Sequence, residues 1–178
     1  MTVLVTGGAG FIGANFIFYW LKAHPGDRVV CVDKLTYAGN LSTLSAALER
    51  PEFRFVRADI CDREIMDRLF GEERPDAVVN FAAESHVDRS IKDPEVFLRT
   101  NVMGTAVLLD ACRRYGTPQF HQVSTDGFVS GPSGPALYRE DTPAGQFTLQ
   151  CIKGVGGFAD LVLLPYLRPA SDGFPLFQ

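Results

Sequence analysis

The chain lacks any long hydrophobic run. Its apolar start, TVLVT at 2–6, is far too short for a signal peptide or a membrane span, and no basic segment precedes it. No membrane partner is expected. It also lacks an excess of either charge, with 17 Lys and Arg against 21 Asp and Glu, a net charge of −4 and a pI of about 5.3. The basic residues are scattered rather than clustered, so no nucleic-acid partner is expected either. Cysteine is scarce: Cys31, Cys61, Cys112 and Cys151 form no CxxC pair. Small buried thiols, kept reduced, are the reading, and a cytoplasmic location follows from it. His24, His86 and His121 fall on separate segments without ligand spacing, so no metal is expected. There are no internal repeats or low-complexity tracts. What is there, 46% hydrophobic and 21% charged residues over 178 positions, suits one globular domain with a real core.

The pattern of that domain alternates. Strands are predicted at 2–6 (TVLVT), 28–33 (RVVCVD), 53–59 (FRFVRAD), 76–83 (DAVVNFAA) and 119–125 (QFHQVST). Helices are predicted at 11–24, 41–50, 63–73 and, as one long element closed by glycine, 95–116. Strands that read as continuous apolar runs between helices imply a parallel sheet covered on both faces, an α/β doubly wound fold of Rossmann type. After Thr125 the rhythm breaks. GFVSGPSGPALYREDTPAGQ is a Gly- and Pro-rich loop, and Pro165 and Pro169 interrupt the helical start of GFADLVLLPYLRPASDGFPLFQ. The chain therefore divides into a dinucleotide-binding domain at 1–126 and an irregular remainder at 127–178.

TGGAGFIG (6–13) places Gly7, Gly10 and Gly13 where a strand ends and a helix begins. Glycine lets the backbone turn sharply and approach a pyrophosphate, while the helix N-terminus offers unpaired N–H groups to the anion. Asp33 ends the second strand, about 20 residues past Gly13, where a carboxylate accepts from the adenosine ribose. A carboxylate there favours the free 2′-hydroxyl of NAD and repels the 2′-phosphate of NADP, and the neighbouring Lys34 tempers this. The alternative for Asp33 is a turn acid capping the next segment. His86, beside Asp88 and Arg89, reads as a hydrogen-bonded structural residue rather than a catalyst.

Together with TGGAGFIG, the runs DKLTYAGN (33–40), ADICD (58–62), FAAESHVDRSI (81–91) and RTNVMGT (99–105) resemble the dTDP-glucose 4,6-dehydratases of the extended short-chain dehydrogenase/reductase superfamily. The likeness runs nearly continuously from residue 2 to residue 126. It implies that Phe11 and Ile12 lie against the pyrophosphate. Asp33, Lys34, Leu35 and Thr36 would surround the adenosine ribose, and Asp59 with Ile60 would hold the adenine edge. Phe81, Ala82, Ala83, Glu84 and Ser85 would line the nicotinamide side, with Thr100 also touching the cofactor. It also implies a nucleotide-sugar substrate, dTDP-glucose, and a homodimer formed through the helix at 95–116, whose apolar surface equally suits burial on the sheet.

In that family NAD oxidises the sugar at C4 while a tyrosine takes the hydroxyl proton. A lysine beside it favours the tyrosinate and orients the ribose. A glutamate then removes the acidified C5 proton and an aspartate protonates the departing C6 hydroxyl, before hydride returns to C6. Net loss of water makes such an enzyme a lyase. Here Ser124, Thr125 and Asp126 match the family run, with Thr125 bonding the sugar and Asp126 as acid, but Gly127 stands where the glutamate is expected. A turn-forming Thr-Asp pair at a strand end is an equal reading. In FTLQCIKG (147–154) Lys153 matches the family lysine, while Leu149 occupies the tyrosine position.

A permitted back-translation of that run, read one nucleotide later, gives SPYSASKA, the family's tyrosine-lysine motif. Two nearby shifts of opposite sense between about Ala144 and Phe158 are the expectation, since the later segment again resembles the family. The resemblance also implies a carboxy-terminal substrate domain, most of which is expected to fall outside this sequence. Three readings remain: a dTDP-glucose 4,6-dehydratase by descent, impaired in this chain; a non-catalytic NAD-binding remnant; and an NAD-dependent sugar-nucleotide epimerase, which needs no Asp-Glu pair.

Overall fold

The computed structural model describes residues 1–85 and 93–123. Five strands form one parallel sheet: β1 (Thr2–Thr6), β2 (Arg28–Asp33), β3 (Phe53–Arg57), β4 (Ala77–Asn80) and β5 (Gln119–Gln122). Their order is β3-β2-β1-β4-β5. In register, Thr6 lies beside both Val32 and Asn80. Helix α1 (Phe11–Ala23) follows β1, and a 3-10 turn (Leu41–Leu44) leads into the short α2 (Ser45–Leu48). Helix α3 (Arg63–Glu73) precedes β4. A helical path then runs from α4 (Pro94–Phe97) through a π-helical stretch (Leu98–Gly104) into α5 (Thr105–Tyr115).

Alternation along the strands sorts the core into two layers. On one face Val3, Val5, Val29, Cys31 and Val79 pack with Ile17 and Leu21 of α1 and Leu44 and Ala47 of the α2 region. On the other, Leu4, Val30, Val32 and Val78 pack with Met66, Leu69 and Phe70 of α3 and Val107, Leu108 and Ala111 of α5. This is the expected doubly wound arrangement. Both faces are apolar because both are covered, which is why the strands read as unbroken hydrophobic runs. Cys31 and Cys112 are buried, and burial pushes each thiol up to about 12. Among the described residues, no helix is long and apolar enough to cross a membrane and no group of acidic, His or Cys residues is placed to hold a metal.

Three elements differ from the sequence expectation. The segment at 41–50 is a tight turn and a single helical turn, because the Asn40 side chain accepts from Ser42 N–H (3.0 Å) and Pro51 turns its predecessor away from the helix. The strand at 76–83 stops at Asn80, where Phe81–Ala83 leave the ladder for a loop. The long helix at 95–116 contains the π-helical stretch. There the Thr105 hydroxyl donates to Asn101 O (2.9 Å) while the Thr105 N–H turns to Val102 O, so the α-helical bond between those residues is not made.

Glu73, at the end of α3, ties the sheet to that helix by accepting from Arg28 Nε (2.7 Å) and from Arg54. The hydrogen bond from Arg28 holds the Glu73 carboxyl below its usual 4.5 against partial burial, and Arg54 adds to it. A depressed carboxylate stabilises the fold above its unfolded pKa and loses that contribution as pH falls through the folded value. Glu73→Gln is expected to lower stability by about 1–3 kcal/mol near neutral pH. In denaturant melts the gap from the parent chain should close as pH drops below about 4.5. A gap that is constant across that range would contradict the assignment.

Candidate dinucleotide site

The site forms where loops leave the carboxyl ends of β1, β2 and β4. The sheet reverses its order on either side of β1, and in open α/β sheets the crevice at that reversal is where ligands bind. The loop after β1 begins at Gly7, whose φ is +66° and whose amide donates to Val32 O (2.9 Å). A Cβ on Gly7 would lie 2.6 Å from Ala82 N and 2.8 Å from Ala82 Cα and Phe81 C. The loop after β1 therefore presses directly on the backbone after β4. Gly13 admits the same closeness within the loop, a Cβ there falling 2.5 Å from Gly7 O. Gly10 precedes α1 as its N-cap and offers no side-chain cap, and the first bond of the helix runs from Ala14 N–H to Gly10 O (2.9 Å). The amides of Phe11, Ile12 and Gly13 thus precede the hydrogen-bonded ladder, and no acidic residue occupies the first turn. Phe11 and Ile12 are the most exposed large apolar side chains described, at 84% and 62%.

Asp33 is 9% exposed, and both of its oxygens face backbone amides: Oδ2 accepts from Ala9 N–H (2.9 Å) and Oδ1 from Leu35 N–H (2.7 Å). Asp33 therefore joins the loop after β1 to the loop after β2 and holds Leu35 in its left-handed conformation, φ +58°. Asp33 thus acts as the turn acid of the alternative reading, and each carboxylate oxygen keeps a further lone pair. Lys34 reaches away to Asp59, Nζ to Oδ2 2.7 Å, while Asp59 Oδ1 accepts from Cys61 N–H (3.0 Å). Burial pushes the Asp59 carboxyl up, but the bonds from Lys34 and Cys61 outweigh it and hold the group below its ordinary value. Ile60 is buried against Gly104, and Thr36 is exposed at the rim.

The loop after β4 is held by a network of side chains that the sequence reading passed over. Thr6 donates to Asn80 Oδ1 and accepts from Ala82 N–H (3.4 Å). Asn80 donates to Gln122 Oε1 (2.8 Å) and to Thr105 Oγ1 (3.4 Å). Asn101, on the π-helical stretch, grips one residue from both sides: its Oδ1 accepts from Glu84 N–H (2.8 Å) and its Nδ2 donates to Glu84 O (2.9 Å). Phe81 packs on Phe16, Ala83 and Ser85 face outward, and Thr100 lies half-buried beside Asn101. Glu84 is 8% exposed, and its buried Oε2 has no hydrogen-bond partner among the described residues. The signal for this network was an amide inside an otherwise apolar strand and another inside a long helix, where such residues are costly unless bonded. Asn101→Ala is expected to destabilise the fold by about 1–3 kcal/mol by stranding the Glu84 amide and carbonyl, as read from denaturant melts. Unchanged melts would remove Asn101 from this role.

Every expected cofactor residue from Gly7 to Ser85, and Thr100, thus lies in the described part. They fall into three groups, the β1 loop, the ends of β2 and β3, and the clamped β4 loop, with Thr100 apart on the π-helical stretch. Thr125, Asp126, Lys153 and His86 lie outside the described residues, as do Gly127 and Leu149.

Comparison with known proteins agrees with this geometry. A curated relative from Haloferax volcanii, the low-salt glycan biosynthesis protein Agl12, is 51% identical over 143 residues, 80% of this chain and 45% of its own length. The dTDP-glucose 4,6-dehydratase of Shigella flexneri is 48% identical over 135 residues, 71% of this chain and 37% of that enzyme. The solved dTDP-glucose 4,6-dehydratase of Streptomyces venezuelae, crystallised with NAD, superposes with a TM-score of 0.72 at 43% identity, over 82% of this chain and 45% of that one. The chain thus spans less than half the length of these relatives. Residues 4–145 match the family model described as GDP-mannose 4,6 dehydratase, a span that contains the glycine loop, Asp33, Asp59 and the whole clamped β4 loop, and the chain belongs to that family.

Proposed function

We propose that residues 1–126 form the NAD-binding domain of a dTDP-glucose 4,6-dehydratase by descent, and that this chain binds NAD without turning over the sugar nucleotide. The observation that carries the cofactor half is the meeting of Gly7 with Ala82 beside uncapped α1, with Asp33 fixed at the next strand end. The residues fit the group chemically. The free amides of Phe11, Ile12 and Gly13 face the pyrophosphate, and the remaining lone pairs of Asp33 accept from the adenosine ribose. Leu35 and Thr36 flank that ribose, and Asp59 with Ile60 borders the adenine. Phe81, Ala82, Ala83, Glu84, Ser85 and Thr100 border the nicotinamide end. NAD, when bound, supplies a hydride acceptor. What this chain contributes is a rigid cradle, since Asn101 and Asn80 fix the β4 loop before any ligand arrives.

The catalytic half rests on sequence. Thr125, Asp126 and Lys153 keep the sugar contact, the acid and the cation, but Leu149 offers no phenol and Gly127 no base. Purified chain of verified mass, given dTDP-glucose and NAD, is expected to form no 4-keto-6-deoxy sugar, read by its absorbance in alkali. Appearance of that absorbance would overturn the non-catalytic reading. The nucleotide sequence encoding 147–154 is the companion test: codons that spell SPYSASKA one base later identify a shifted dehydratase gene, whereas codons that forbid it make Leu149 a true substitution. A cytoplasmic location and a homodimer through the helical path at 95–116 belong to the same proposal.

A further inference from the structure

We propose that Asp59, acting through Lys34, is a second determinant of cofactor choice: its carboxylate holds the ammonium next to Asp33 away from a 2′-phosphate. The inference rests on the NAD-binding reading above and extends it to residues beyond the ribose acid. Lys34 directly follows Asp33 and would by position alone be a cation available at the ribose. A 2′-phosphate carries about −1.5 to −2 charge near neutral pH, and an ammonium with free rotation about four carbons is a ready partner for it.

In this fold Lys34 is committed elsewhere. Its Nζ lies 2.7 Å from Asp59 Oδ2, across the ends of two neighbouring strands. Those ends are locked together by the bond from Ala58 N–H to Asp33 O (3.1 Å). Asp59 cannot swing freely, because its other oxygen is engaged by Cys61 N–H at 3.0 Å. Asp33 therefore repels the 2′-phosphate directly, while Asp59 removes the neighbouring charge that would have compensated. Two carboxylates act in one direction by different means.

Asp59→Asn is the direct test, since the amide keeps an acceptor for Cys61 N–H and loses the charge that binds Lys34. NADH and NADPH dissociation constants are measured on the full chain, and the readout is the affinity for NADPH relative to NADH. Asp59→Asn is expected to raise that ratio about fivefold at low ionic strength, with the gain fading in high salt. Adding Lys34→Gln to it should return the ratio to the parent value. No rise in Asp59→Asn, or a rise that survives Lys34→Gln, overturns the proposal. Lys34→Gln alone decides the matter should Asp59→Asn fail to fold. With the ammonium already committed, the ratio holds within about twofold, and a fivefold fall would show that Lys34 already serves the phosphate. A parent chain that binds neither nucleotide defeats the NAD reading itself, a result distinct from an unmoved ratio.

Discussion

Gly7→Ala is expected to destabilise the domain by about 2–5 kcal/mol and to abolish NADH binding. Two costs combine. The left-handed φ of +66° strains any residue with a Cβ, by about 1–2 kcal/mol. The new methyl also meets Ala82 N at 2.6 Å and Phe81 C at 2.8 Å. These are backbone atoms anchored by Thr6 and by the register of β1 on β4, so no side chain can swing aside. Overpacking of this kind costs about 1–3 kcal/mol. Relief comes only from parting the two loops, which removes the crevice itself. Against a typical stability of about 5–15 kcal/mol the variant still folds, so loss of binding remains readable by titration beside a denaturant melt. A variant that melts like the parent and binds NADH equally well would show that the two loops do not form the site.

Asp33→Ala is expected to weaken NADH binding about a hundredfold and to lower stability by about 2–4 kcal/mol. The stability loss comes from the amides of Ala9 and Leu35, which lose a nearly buried acceptor at 2.9 and 2.7 Å. The binding loss has two sources: the ribose acceptor disappears, and the β1 loop is no longer tethered to β2. Asp33→Asn separates them, since its amide oxygen still accepts one of the two N–H groups. Its stability should fall by less than that of the alanine variant while NADH binding remains impaired. Equal NADH affinity in the parent and Asp33→Ala chains, from calorimetric titration, would contradict the assignment.

Most of the fold was legible because its parallel strands are buried on both faces. RVVCVD and TVLVT have no other stable place than the middle of a covered sheet, and both strands begin and end where the pattern put them. The glycine loop and Asp33 were legible for a similar reason, since few residue types can do what those positions require. The tether from Asp33 to Ala9 was not legible, because it depends on a contact 24 positions away in sequence. The same holds in part for Asn101, whose position in a helix signals a bonded amide without naming Glu84 as the partner of both its polar atoms. The π-helical stretch is a competition between the Thr105 hydroxyl and its own amide, which periodicity does not register. The Lys34–Asp59 pair joins two residues that were each assigned to the cofactor, and their mutual engagement appears only once β2 and β3 lie side by side.

The central claim is that these loops bind NAD, and the chain carries its own reporter. Trp20 is its single tryptophan, tilted against Phe16 with ring centroids 5.5 Å apart, and Phe16 in turn meets Phe81 of the β4 loop at 5.3 Å. Bound NADH would therefore lie close enough to accept Trp20 emission. Titrating NADH into the purified chain while exciting tryptophan is expected to give saturable sensitised nicotinamide emission that excess NAD reverses and that Gly7→Ala eliminates. Absence of saturable transfer up to about 1 mM NADH, in a chain shown to be folded by its melt, would contradict the account.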